Sequence, residues 1–232
     1  MRKQIKSFCI IPARKGSKRI KNKNIKIFYG KPIIAYSIEA AIKSGCFDKV
    51  VVSTDCLKIA KVAKKYGAEV PFIRPKNLSD DHVQTAPVIN HAIKELEKMK
   101  NKPDFICVIT ATAPMIDYLK IKEGFNLLKK SKKEFVVSVT SFAYPIQRAL
   151  ALNRDGDIFM INKKNYNKKS QDLIECYHDA GQFYWGKVNS FKNNKKILSS
   201  KSKPIFLKRS KVTDIDTMQD WEFAKILYKI KI

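Results

Sequence analysis

Two short stretches carry residue types that can do chemistry together. The first runs Ile10-Ile11-Pro12-Ala13-Arg14-Lys15-Gly16-Ser17-Lys18-Arg19 and continues through Lys21, Lys23 and Asn24. An apolar run of strand length, Phe8 to Ile11, stops at Pro12, which has no N–H to donate to a ladder. Gly16, Ser17 and a dense set of cations follow. Backbone N–H groups, a hydroxyl and fixed positive charge at the carboxyl end of a strand suit phosphate groups. Open α/β sheets bind their ligands at that edge. On cation count alone, the alternative is a solvated basic turn. The second stretch, Asp214-Ile215-Asp216-Thr217, puts two carboxylates on one face of an extended segment. Paired hard oxygens suit Mg²⁺, which binds through one or two carboxylates plus substrate phosphates. The competing role is structural, with Asp216 or Thr217 capping the helix that follows.

The order of residues narrows these choices. Ile11 to Asn24 resembles the signature Ile-Pro-Ala-Arg-x-Gly-Ser-Lys-x-x-x-x-Lys-Asn of the sugar-acid cytidylyltransferases, with every fixed position filled. The two common nucleotide fingerprints, G-x-x-x-x-G-K-[ST] and G-x-G-x-x-G, are not what this stretch spells. The resemblance implies that Ala13, Arg14, Gly16, Ser17, Lys18 and Lys23 hold the triphosphate of CTP. Lys23 would meet the departing pyrophosphate, and Asn24 would brace the loop. It also implies that Asp214 and Asp216 ligate Mg²⁺, and that Arg14, Lys23, Asp214 and Asp216 form the catalytic set. Arg74-Pro75-x-x-Leu78 matches the family loop that lines the cytidine pocket. Spacing alone equally allows Arg74 to pair with Asp80 or Asp81 at the surface. Thr112-x-Pro114 resembles the turn that borders cytosine and sugar. Sialic acid enzymes have Gln at the position of Ala111, where its amide holds the sugar; Ala cannot make that bond.

A third constellation concerns the sugar. Phe142-x-Tyr144 to Leu150, Ser170 to Leu173 and Tyr177 to Gly186 resemble the pseudaminic acid branch of the family, which also carries Ala-Thr-Ala-Pro as at 111–114. That branch has Arg where this chain has Lys169, a cation without the planar fork. A nine-carbon sugar acid needs a cation for its carboxylate and hydrogen-bonding groups for hydroxyls and amides. Arg148, Lys169, Gln171, His178, Gln182 and Tyr184 supply those types, next to Ala111. For His178-Asp179 the alternative is a buried structural pair at a sheet corner. Phe183-Tyr184-Trp185 reads as core as readily as site.

The elements that must position these residues follow from periodicity. The first 73 residues read strand, helix, strand, helix, strand. These are Phe8–Ile11, Pro32–Ser44 with Gly45 as its stop, Val50–Val52, Leu57–Tyr66, and Val70–Ile73. That order implies parallel strands with right-handed crossovers. A helix over about 87–99, a strand Phe105–Ile109, a helix over about 119–130 and a strand Phe135–Val139 continue it. From Ser141 the rhythm changes. Asn153-Arg154-Asp155-Gly156 is a turn between Ala149–Leu152 and Ile158–Ile161, a hairpin. Gly181 to Gly186 returns to sheet, Pro204–Leu207 is a short strand, and a helix over about 218–228 closes the chain. The expectation is one α/β domain over 1–232, Rossmann-like and three-layered, of the nucleotide-diphospho-sugar transferase type with a mostly parallel sheet. A β-rich excursion over about 142–180 matches the relatives' arm, which packs on a second subunit, so the resemblance implies a homodimer.

Composition sets the outer bounds. At 232 residues with 44% hydrophobic content, the chain can bury a core without staples. No apolar run approaches the roughly 20 residues that span a bilayer. Met1 to Ser7 is basic and polar, with no apolar leader. The five cysteines are scattered, with no C-x-x-C pair, and read as reduced thiols in a cytoplasm, mostly core fillers. The net charge of +26 makes nucleic acid a rival partner. Lys is spread along the whole chain, however, with no reading helix or aromatic strip, so no nucleic acid is expected. A diffuse positive field would instead raise the local concentration of a triphosphate and an acidic sugar.

Overall fold

The computed structural model describes residues 5–230. The reading of the basic opening segment falls in part on residues 1–4, outside the described residues. The core is a six-stranded sheet. Its strands are β1 (Ser7–Pro12), β4 (Lys49–Ser53), β5 (Phe105–Ile109), β6 (Phe135–Ser141), β9 (Tyr177–Lys187) and β10 (Ser202–Phe206). The spatial order is β10-β6-β9-β5-β1-β4. β1 lies between β4 and β5 and runs parallel to both, and β10 is parallel to β6. β9 alone runs against its two neighbours, β5 and β6. Four small strands lie outside the sheet, as the pairs β2 (Ile27–Phe28) with β3 (Lys31–Pro32) and β7 (Leu150–Leu152) with β8 (Ile158–Met160).

Both faces of the sheet are covered, which is why its strands read as near-continuous apolar runs. Side chains alternate along β1: Cys9 and Ile11 join one core cluster, Phe8 and Ile10 the other. On the first face lie α1 (Ile33–Ser44), α2 (Leu57–Lys65) and α4 (Tyr118–Lys130). They contribute Ile34, Ile38, Ile59, Ile121 and Leu128. The second face is closed by α3 (Thr85–Lys98) and the short α5 (Val188–Lys192), through Ile89, Ile93 and Phe191. A third cluster joins Phe28 and Tyr36 to Trp221 on the last helix, α6 (Met218–Lys229). These are the three expected layers.

Three elements depart from the sequence reading. Val70–Ile73 does not form a strand. Beside β4 it makes only isolated bridges, Val51 to Glu69 and Thr54 to Ile73. Pro71 sits between them and has no N–H to continue the ladder. α3 begins at Thr85, two residues early, with Pro87 in its first turn, where the missing N–H costs nothing. The 142–176 excursion holds little sheet: one hairpin of two three-residue strands and three 3₁₀ turns. The cysteines are all free, with Cys9 and Cys107 buried, while Cys46 and Cys56 pack against the core from its margin. Among the described residues no helix is long and apolar enough to cross a membrane.

One residue shows how tightly the central strand is packed. Gly186 lies on β9 opposite Phe135, and a Cβ there would come within 2.5 Å of the Phe135 ring and 2.6 Å of Phe191. Both rings belong to the core. Gly186→Ala is expected to destabilise the fold by about 1–3 kcal/mol, the usual cost of overpacking. A urea titration checks this, and an unchanged midpoint would contradict it.

Candidate functional site

The carboxyl ends of β1 and β5 and the start of β9 open onto one cleft of about 660 Å³. The loop after β1 forms one wall. It leaves the sheet with Ala13 still paired to β4, its N–H donating to the Ser53 carbonyl at 2.9 Å. Two side chains then clamp the loop. Asp55 accepts from the Lys15 N–H at 2.9 Å, and the buried Asn24 amide donates to the Arg14 carbonyl at 2.9 Å. Both ends of the cation cluster are thereby fixed before a ligand arrives. Arg14, Ser17, Lys18, Arg19 and Lys23 all line the cleft. Ala13 and Gly16 belong to the loop without lining it, so their contribution is backbone geometry.

The cations are already paired. Arg14 and Lys18 both meet Asp81, with Lys18 Nζ at 2.6 Å from Oδ2. Arg19 and Lys23 both meet Asp216, at 2.7 and 3.2 Å, and Lys23 also donates to the Ile215 carbonyl. The two sequence motifs, nearly the whole chain apart, thus form one site. Between them Ile215 is fully buried in the α6 cluster, which anchors the acidic turn. The helix cap is Thr217, not Asp216. Thr217 and Asp220 form a reciprocal capping box, leaving both carboxylates of the motif free of that duty. Asp216 lines the cleft. Asp214 stands two residues behind it, where partial loss of hydration and then the Asp216 charge raise its carboxyl above the usual value.

Arg74 is not the surface ion-pair partner that spacing allowed. It is 3% exposed, its Nε donates to Ser79 Oγ at 3.1 Å, and its N–H donates to the Thr54 carbonyl at 2.8 Å. Burial pulls the guanidinium below its ordinary range, against the pull of Asp55. It lines the cleft with Leu78, Val83 and Val88, an apolar pocket with one buried cation. Across from it, Ala111 and Thr112 present the turn after β5.

The aromatic run on β9 divides by strand alternation. Phe183 and Trp185 are core, with the Trp185 indole donating to the Ile121 carbonyl at 2.9 Å. Tyr184 faces the other way and lines the cleft. Burial, then the neighbouring Asp179 carboxylate, raise its phenol above the usual range. Gln182 is buried and donates to the Lys211 carbonyl, bracing the chain ahead of the acidic motif rather than facing the cleft. His178 is exposed and stacks obliquely on Phe142 at 4.9 Å, so it is not half of a buried pair. Arg148, Lys169 and Gln171 sit exposed in the 142–176 arm, with Arg148 Nη1 reaching Ser170 Oγ at 3.4 Å. They do not line this cleft. Sequence reasoning gave no site role of their own to Arg19, Asp81, Thr85, Asp179 and Gly181, which do.

This geometry offers a fixed cationic loop, an acidic turn beside it and a mixed apolar pocket on one sheet edge. It suits a nucleoside triphosphate at one end and a polar acceptor at the other. The family model for cytidylyltransferases matches residues 8–231. The chain belongs to the cytidylyltransferase family. Its match therefore runs through every element of the cleft, from the loop after β1 to α6. This cytidylyltransferase is 46% identical to the pseudaminic acid cytidylyltransferase of Campylobacter jejuni over 97% of each chain. It is 33% identical to the CMP-N,N'-diacetyllegionaminic acid synthase of Legionella pneumophila over 95% of each. A solved CMP:2-keto-3-deoxy-manno-octonic acid synthetase, in complex with CTP, shares the fold at a TM-score of 0.72. It covers 98% of this chain and 100% of that one at 15% identity.

Proposed function

We propose that this enzyme transfers CMP from CTP to the anomeric hydroxyl of pseudaminic acid, releasing pyrophosphate. The observation that carries the reading is the convergence of Arg14, Lys18, Arg19 and Lys23 with Asp216 at the carboxyl edge of the sheet. The likeness to the C. jejuni enzyme supports the choice of sugar. Phosphoryl transfer asks little covalent chemistry of a protein; alignment and charge neutralisation do most of the work. Arg14, Ser17 and Lys18 hold the triphosphate, and Lys23 neutralises the pyrophosphate as it leaves. Arg74 and its apolar neighbours take the base. The turn at Ala111 and Thr112, with Tyr184, borders the sugar.

The acidic turn fits Mg²⁺. Partial burial and then the Asp216 charge disfavour the ionised Asp214 carboxyl, and a divalent cation shared by the two carboxylates would relieve that. Among the described residues no larger set of His, Cys, Asp and Glu converges, so two carboxylates plus substrate phosphates are the donors on offer. Asp214 and Asp216 would hold the ion, and when bound it would polarise the phosphoryl oxygens and lower the pKa of the attacking hydroxyl.

The arm is the contact to a second copy in this reading. It exposes Tyr144, Leu152, Ile158, Tyr166 and Ile174 at 68–85%, more apolar surface than a solvated loop needs. Arg148, Lys169 and Gln171 lie outside their own cleft, so a second copy is the route by which they would meet a sugar. Free thiols fit a cytoplasmic location.

The test is pyrophosphate release from CTP and Mg²⁺ with pseudaminic, legionaminic and N-acetylneuraminic acids in parallel. Release with pseudaminic acid alone is expected; release with another acid would keep the reaction and overturn the choice of sugar. A companion variant addresses the pocket. Ala111 is 3% exposed, and Ala111→Gln is expected not to improve use of pseudaminic acid, since the amide enters space already bounded by the turn. A higher kcat/KM in that variant would contradict this account of the sugar end.

A further inference from the structure

Asp81 has no part in the chemistry above, yet both of its carboxylate oxygens face the triphosphate loop. Oδ1 accepts from Arg14 Nη1, and Oδ2 meets Lys18 Nζ at 2.6 Å. Those two cations are its partners among the described residues. Lys18, then Arg14, hold the Asp81 carboxyl down to about 2, so it stays ionised. Asp216 does the same for Arg19 and Lys23. Four of the loop's six cations are thus shared between two carboxylates that both line the cleft.

A carboxylate and a phosphate make the same demand on a guanidinium, two acceptor oxygens for a planar fork. Arg14 and Lys18 cannot give all their donors to a triphosphate while both are closed on Asp81. The segment carrying Asp81 is tied down at its ends and open to solvent between them. It is anchored behind by buried Arg74 through Ser79, and ahead by α3 from Thr85. Between them Asp80, Asp81 and His82 are exposed, held locally by the Asp80 carboxylate accepting from the His82 N–H at 3.0 Å. The pairing also keeps the Arg14 and Lys18 charges in position when they would otherwise repel one another.

We propose that Asp81 is the resident counter-anion of the triphosphate site, exchanged for phosphate oxygens when CTP enters and restored to Arg14 and Lys18 when pyrophosphate leaves. The proposal rests on the CTP reading above. It makes Asp81 a positioning residue that sets affinity for both CTP and pyrophosphate by the same factor.

The experiment compares native protein with Asp81→Asn, Asp81→Glu and Glu222→Gln, the last removing a carboxylate from the outer face of α6. CTP binding is measured by calorimetry without sugar, and pyrophosphate is measured as a product inhibitor. In Asp81→Asn both are expected to bind about three- to tenfold tighter, the scale of an exposed ion-pair network. The KM for the sugar is expected to stay unchanged. Asp81→Glu should return toward native affinity, and Glu222→Gln should match the native protein. Equal or weaker CTP binding by Asp81→Asn would overturn the proposal, since a carboxylate that merely braces the loop gives that result. If the native protein binds no CTP, the nucleotide reading fails and takes this one with it; native CTP binding with no gain in Asp81→Asn overturns this one alone.

Discussion

Asp214→Asn is expected to lose CMP transfer by about two to three orders of magnitude, the scale on which a preorganised transition-state contact is felt. The same variant is expected to be as stable as the native protein at neutral pH, or more so. The two effects have opposite sign for one reason. The Asp214 carboxyl is raised from its ordinary 3.8 by desolvation first and by Asp216 second. A carboxyl whose folded pKa lies above its unfolded value favours the fold below the unfolded pKa and opposes it as pH rises through the folded one. Asparagine removes the opposing charge and keeps the volume. The stability gain in Asp214→Asn should therefore be present at pH 7 and vanish below about pH 4, as the native carboxyl is protonated in both states. Chemical denaturation at the two pH values, alongside turnover, reads both halves. Normal Mg²⁺-dependent turnover would remove Asp214 from the ligand set, and a large stability loss would make it structural.

Arg14→Ala is the second large effect. Arg14 is held at its backbone by Asn24 and at its guanidinium by Asp81, so its place is set from two sides. Hydrogen bonds to charged groups are worth about 1.5–3 kcal/mol each. That corresponds to a roughly ten- to hundredfold loss in kcat/KM for CTP. The loss should fall on CTP and leave the KM for the sugar within about twofold, because the proposed role of Arg14 is toward the phosphates and not the acceptor. Arg14→Lys should recover part of it, keeping the charge but losing the fork. An equal rise in both KM values would mean that the loop as a whole had moved.

How far the site could be read from the sequence depends on the range of the interactions. The loop from Ile11 to Asn24 was legible because its chemistry is local: strand, proline stop, glycine, cations and the bracing amide lie within one turn of chain. The acidic motif left two roles open, ligand pair or helix cap, and the Thr217–Asp220 box settles which residue is the cap. Asp81 was not legible, since its partners Arg14 and Lys18 lie more than 60 positions earlier and meet it only once β1 and the loop before α3 share an edge. Asp179 and Gly181 had a weaker signal, the polar break just before the aromatic run. The direction of β9 was also hidden. Alternation places Phe183 and Trp185 on one face in either orientation, and only its insertion between β5 and β6 fixes it as antiparallel. The arm residues Arg148, Lys169 and Gln171 are of types that could meet a sugar acid but lie outside the cleft of their own chain, and residue type alone says nothing about reach.

The measurement that tests the central claim most directly is a phosphorus NMR time course of the enzyme with CTP, Mg²⁺ and pseudaminic acid. The CTP signals are expected to give way to one pyrophosphate and one CMP phosphodiester in equal amounts, with no change when the sugar is left out. Appearance of orthophosphate, or consumption of CTP independent of the sugar, would contradict it.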